Sequence, residues 1–92
     1  MTESIMQSDM RCYVTGKTTN LHRHHAMPGT ANRKKSEKYG LWVWLEASVH
    51  ARLHDKDKRL EIAIKMDAQR AFEERYGHDL WMKEFGRNYL DI

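Results

Sequence analysis

The chain has 92 residues, of which 40% are hydrophobic and 32% charged, a length that fits one small domain and excludes a large multi-layer enzyme. Its single cysteine, Cys12, excludes an internal disulfide and a four-cysteine zinc knuckle, as suits a reducing compartment, and makes the six histidines the conspicuous feature. The net charge of +3 is unevenly placed: residues 11–38 carry seven basic side chains against Glu37, while the segments on either side are slightly acidic. A basic segment of this kind suits a polyanion such as nucleic acid, although charge alone favours a solvated face.

Residues 1–10, MTESIMQSDM, are polar, without periodicity, and lack the basic start and apolar stretch of a signal peptide; they read as a loose tail. No window approaches 18 consecutive apolar residues, so the expectation is a cytoplasmic protein with no membrane attachment. Arg11 to Val14 suits a short strand, and Gly16-Lys17-Thr18-Thr19-Asn20 supplies turn chemistry before a second strand at Leu21 to His25, a candidate hairpin. Pro28-Gly29 breaks regular structure, and Thr30 to Lys38 reads as an exposed loop with at most one helical turn.

The apolar run Tyr39 to Leu45 would place Leu41, Val43 and Leu45 on one face and Trp42 and Trp44 on the other if extended, but it is too short to separate strand from buried helix by periodicity. The two tryptophans suit core or subunit contact better than base stacking. Glu46 to His54 holds good helix formers, with Ser48 as a candidate cap. A second helix starts near Asp55 or Asp57 and runs to Tyr76, stopped by Gly77, with Leu60, Ile64, Ala68, Phe72 and Tyr76 forming a core-facing i, i+4 row. A short last helix covers about Asp79 to Phe85, before Gly86.

His24 and His25 are neighbours on a predicted strand and therefore face opposite ways. His50 and His54 lie four apart on a predicted helix and share a face, about 5–6 Å between Cβ atoms. One strand histidine can complete a three-histidine metal site with the helix pair, while the other takes a proton from water. His22 and His78 read as ordinary surface residues.

This pattern resembles the HNH endonucleases, the ββα-metal nucleases, and in particular small phage-encoded proteins of that group. The matching residues are Leu21-His22-Arg23-His24-His25, then Ala31 to Leu41 (ANRKKSEKYGL), His50 and His54, and the tail segments Phe72 to His78 and Phe85 to Leu90. The resemblance implies an α+β fold: a ββα-metal hairpin-plus-helix core over about residues 11–54, with additional C-terminal helices over 55–92, the whole of 11–92 being one domain. It implies a DNA endonuclease with one divalent ion, Mg, Mn, Ni or Zn, on His24, His50 and His54, and His25 as general base. Arg23, Arg33, Lys34, Lys35 and Lys38 would hold backbone phosphates, which positions DNA without specifying sequence. A phage or prophage origin, and hence a bacterial cytoplasm, comes with the resemblance. Further partners it admits are a second copy of the chain and a phage or host protein.

The chain departs from that family in three ways. Relatives brace the strands and helix with a zinc bound by two C-x-x-C-like pairs, but here the positions are Cys12, Thr15, Glu46 and Val49, so no structural zinc is expected, and Cys12 is a relic or a small buried hydrophobe. The orienting asparagine, about nine positions before the first helix histidine, is replaced by Leu41, leaving Asn32 as the nearest candidate. Close relatives carry a longer insert between the two helix-side histidines. Two rival readings follow: a catalytically inactive binding module or inhibitor on the same scaffold, and a histidine-metal site with a purely structural role.

Overall fold

The computed structural model describes residues 2–55 and 57–90. The chain runs β1 (Leu21–His25), α1 (Thr30–Tyr39), β2 (Trp42–Glu46), α2 (Ala47–His54), α3 (Lys58–Tyr76) and α4 (His78–Phe85). It is a small α+β fold in which β1 and β2 form a two-stranded antiparallel sheet, Leu21 opposite Glu46 and His25 opposite Trp42.

The apolar run is the strand β2. Leu41, Val43 and Leu45 are fully buried on the core side, joined by Val49, Ile64, Ala68, Phe72 and Trp81. Trp42 and Trp44 take the other face, as alternation in a strand requires, with their rings edge to face at 5.4 Å.

The expected hairpin is corrected. β1 pairs not with residues 11–14 but with β2, across a connection that contains α1. Residues 12–17 instead close a tight turn, with Cys12 N donating to Lys17 O and Gly16 N to Cys12 O. Val14, which the strand reading would have paired, is exposed.

Residues 30–38, expected as a loop, belong to a ten-residue helix. Its sequence, TANRKKSEKY, has no apolar stripe, so periodicity could not reveal it. Side-chain contacts hold it instead: buried Ser36 hydrogen-bonds Met27 through its Oγ, and Lys35 donates to the Glu84 carbonyl at the end of α4. Gly40 ends α1 in the left-handed region at φ 72°, and a Cβ there would stand 2.2 Å from the Glu3 carbonyl oxygen, so both backbone and space require glycine.

That close approach belongs to the segment expected as a loose tail. Ser4 Oγ donates to Trp42 O, Trp44 N donates to Gln7 Oε1, Ile5 N to Gly40 O, and Tyr13 N to Trp44 O. Residues 2–13 thus satisfy the outer edge of β2 without forming a strand, and the edge is covered rather than left as a template for another chain.

The helical half follows its pattern. Asp57 caps α3 by accepting from Leu60 N at 3.1 Å, Ile64, Ala68 and Phe72 are buried, and Gly77 and Gly86 end α3 and α4. Tyr76, the last member of the expected stripe, is instead exposed. At the first helix, Glu46 rather than Ser48 occupies the cap position of α2, and Ser48 Oγ donates to its carboxylate. Buried Gln69 pins the C-terminal segment, its amide oxygen accepting from Tyr89 N and its amide nitrogen donating to Asn88 Oδ1.

Candidate functional site

The strand alternation that separates His24 from His25 also puts His22 beside His24. Both face α2, which follows β2 directly and brings His50 and His54 across from them. The ring centroids of His24 and His50 are 5.5 Å apart, those of His50 and His54 4.8 Å. Two imidazoles sharing a tetrahedral ion have centroids about 5 Å apart, given metal–nitrogen bonds of about 2.0–2.1 Å. The His24–His50 and His50–His54 spacings and the imidazole donors are each compatible with pairwise sharing of a divalent ion. Among the described residues, however, no three histidine, cysteine or carboxylate groups are placed so that they could hold one.

His24 is driven down to about 4 by burial first and then by the neighbouring imidazoles of His50, His25 and His54, with Glu61 pulling the other way. His50 is lowered by burial and by His54 and His22. Both are neutral at physiological pH, the form in which imidazole ligates metal.

The sequence pattern did not point to two residues on this wall. His22 Nδ1 lies 3.1 Å from His50 Nδ1, so one ring donates to the other, and that contact occupies one nitrogen of His50 while Nε2 stays available. Its signal was its place two residues before His24 on the same strand face. Glu61, at the start of α3, lines the inner part of the same cleft with His24, His50 and His54 and pairs with Lys65 at 2.9 Å.

The outer cleft, about 350 Å³, is lined by His24, His50 and His54 together with His25, Arg23 and Arg33. His25 also lines a second depression along α1 with Thr30, Arg33, Lys34 and Glu37. These helical residues recur every three or four positions and so share a face.

Asn32 is not on that face. It lies five residues before Glu37, about 140° around the helix, and neither cleft that His25 lines includes it. The side chain that does touch His25 is Glu37, whose Oε2 is 2.9 Å from His25 Nε2. The loop reading of residues 30–38 hid this contact, because only a helix brings residue 37 back over β1.

The five basic candidates divide. Arg33 and Lys34 are exposed beside His25, and Lys38 is exposed with its ammonium 5.1 Å from the Tyr39 ring centroid. Lys35 is committed to the Glu84 carbonyl, and Arg23 to Glu37 at 2.9 Å.

Of the four positions where a bracing zinc is expected to be missing, Cys12, Thr15 and Glu46 come together. Thr15 Oγ1 and Ser48 Oγ both donate to the Glu46 carboxylate, the former at 2.8 Å, and Lys17 Nζ stands 3.8 Å away. Cys12 is buried in the same turn; burial raises its thiol, but hydrogen bonds from the Thr15 side chain and from the backbone of Glu46, Thr15 and Val14 bring it below the usual range. Val49 is buried in the core.

Fold and cleft together define a small α+β protein with a histidine-lined cleft and a basic helix at its rim. Comparison with protein-family models, with curated proteins and with solved structures finds no match to this chain. Among the described residues no helix is long and apolar enough to cross a membrane.

Proposed function

We propose that the chain is a metal-dependent endonuclease that hydrolyses DNA phosphodiester bonds on an HNH-type ββα core. The observation that carries this reading is the division of labour at β1. His24 joins His50 and His54 on one face, while His25, one residue on, faces the opposite way and still opens onto the same cleft. The order β1, β2, α2 supports it, with α1 accommodated in the connection between the strands.

In this reading His24, His50 and His54 would hold one divalent ion. Bound there, the ion supplies stabilisation of charge on the transferring phosphoryl group and the leaving oxygen. Three imidazoles favour zinc, nickel or manganese over magnesium as a tight resident. His25 takes a proton from water, the water oxygen bonds to phosphorus, and the bond to the 3′ oxygen breaks with its electron pair on that oxygen. Arg33, Lys34 and Lys38 hold flanking phosphates, which gives affinity that depends on salt and little sequence preference. One such site nicks a duplex; cutting both strands needs a second copy.

The test is plasmid cleavage with Mg²⁺, Mn²⁺, Ni²⁺ or Zn²⁺. Wild type is expected to nick in at least one metal, and His25→Ala to lose about 10²- to 10⁴-fold in rate. Intact plasmid in every metal, with a folded protein, overturns the reading. That outcome favours a second one, a nucleic-acid- or protein-binding module, whose support is that no three donors converge among the described residues.

A further inference from the structure

The Glu37 carboxylate bridges two side chains of one strand face. Oε1 accepts from the Arg23 guanidinium and Oε2 meets His25 Nε2, both at 2.9 Å. Arg23 and His25 are two apart on β1 and so project to the same side, and α1 lays Glu37 across both.

The arginine is itself fixed. Its guanidinium carbon lies 3.7 Å from the centroid of the Trp42 ring, and Trp42 Nε1 donates to the Thr2 carbonyl at 2.9 Å. Trp42 is the strand partner of His25, so the stack is built into the sheet register. Arg23 is 18% exposed and His25 22%, so neither is held by solvent.

Chemistry then decides the proton. An ionised carboxylate paired with arginine is acceptor-only, so the hydrogen in the His25–Glu37 contact belongs to Nε2. We infer that Glu37 is the positioning residue for His25, holding its ring as the Nε2–H form so that Nδ1 carries the lone pair that accepts a proton. The proton that leaves water binds Nδ1, the ring becomes an imidazolium, and its Nε2–H remains bonded to the Glu37 carboxylate. Glu37 touches neither water nor phosphate in this scheme. The role rests on the nuclease reading above; the contact and the ring form do not. Leu41 stands where the orienting asparagine would fall and Asn32 lies on another face of α1, so Glu37 takes this task.

Nitrogen-15 NMR of the histidine rings at about pH 8, above the ordinary imidazole range, tests the ring form directly. Wild type is expected to show His25 protonated at Nε2, with that proton slow to exchange. Glu37→Ala loses the slow exchange, and Glu37→Gln, whose amide oxygen still accepts, keeps it. In plasmid cleavage Glu37→Ala is expected to lower kcat by about 10- to 100-fold, as for other orienting partners, with KM unchanged, and Glu37→Gln to recover part of the loss. A wild-type ring protonated at Nδ1 overturns the inference with no variant needed, as does an unchanged Nε2 proton in folded Glu37→Ala. If the proton behaves as expected while no metal yields cleavage, the positioning contact stands and the nuclease reading alone falls.

Discussion

The two halves of the molecule are held together by different means. In the helical half, Phe72 stands at the centre of an aromatic cluster, 5.0 Å from Tyr39, 5.4 Å from Trp81 and 5.9 Å from Phe85, with Trp81 and Phe85 at 4.3 Å. Around the sheet, the outward face and edge are tied by polar contacts: Glu37 to Arg23 and His25, Glu46 to Thr15 and Ser48, Ser4 and Gln7 to β2. Non-directional burial supplies most of the stability of such a chain, while hydrogen bonds contribute modestly in net terms but fix orientation. The apolar half is therefore the anchor, and the polar half sets the direction of the groups that do chemistry. The histidine cleft lies at the seam, with α3 contributing Glu61 to a wall otherwise built from β1, the Ala26–Pro28 connection and α2.

The sharpest way to break this contrast is truncation of the anchor. Trp81→Ala or Phe72→Ala removes a fully buried ring and is expected to cost about 3–5 kcal/mol, measured by denaturant unfolding; a loss below 1 kcal/mol would place the anchor elsewhere. Gly40→Ala comes next. Strain at a positive φ costs about 1–3 kcal/mol, and the added Cβ meets the Glu3 backbone, so Tm falls and amide protection is lost first at Ile5. An Ile5 amide already unprotected in the wild type would restore the loose-tail reading of residues 2–10.

Acid response separates the polar ties from the anchor. Hydrogen bonds from Ser48 and then Thr15 hold the Glu46 carboxyl below its ordinary 4.5, and those from Leu60 N and then Arg52 do the same for Asp57. A carboxylate depressed in the folded state stabilises it fully above the ordinary value, and that contribution is lost as pH falls through the folded one. Tm is therefore expected to decline below pH 4.5, and less steeply in Glu46→Gln, which starts lower at neutral pH.

The smallest effects distinguish the lysines. Lys34→Ala is expected to reduce the slope of log Kd against log salt for DNA by about 1. Lys35→Ala leaves that slope alone and lowers Tm, because its ammonium serves the Glu84 carbonyl.

The same contrast explains what could be read in advance. The row from Leu60 to Phe72 and the glycines at 77 and 86 carry their geometry in local pattern, so α3 and α4 were legible to within a few residues. The faces of β2 were legible in its alternation, but its partner was not, because Gly16 to Asn20 offers hairpin chemistry that the chain spends on a turn around Cys12. α1 and residues 2–10 escaped because polar contacts with distant residues, and only isolated apolar ones such as Ile5 and Tyr39, hold them, and such contacts leave no periodicity. At the site, spacing alone brought His24, His50 and His54 together, since a strand and an i, i+4 helical pair need only face each other. His22 and Glu37 required the pairing of β1 with β2 and the existence of α1.

The most direct test is a crystal structure after soaking with Zn²⁺ or Mn²⁺. One ion is expected, bonded by imidazole nitrogens of His24, His50 and His54, at about 2.0–2.3 Å for zinc, with His25 still on Glu37 and outside the coordination shell. An ion bound elsewhere, or one that takes His25 as a ligand, would contradict that assignment.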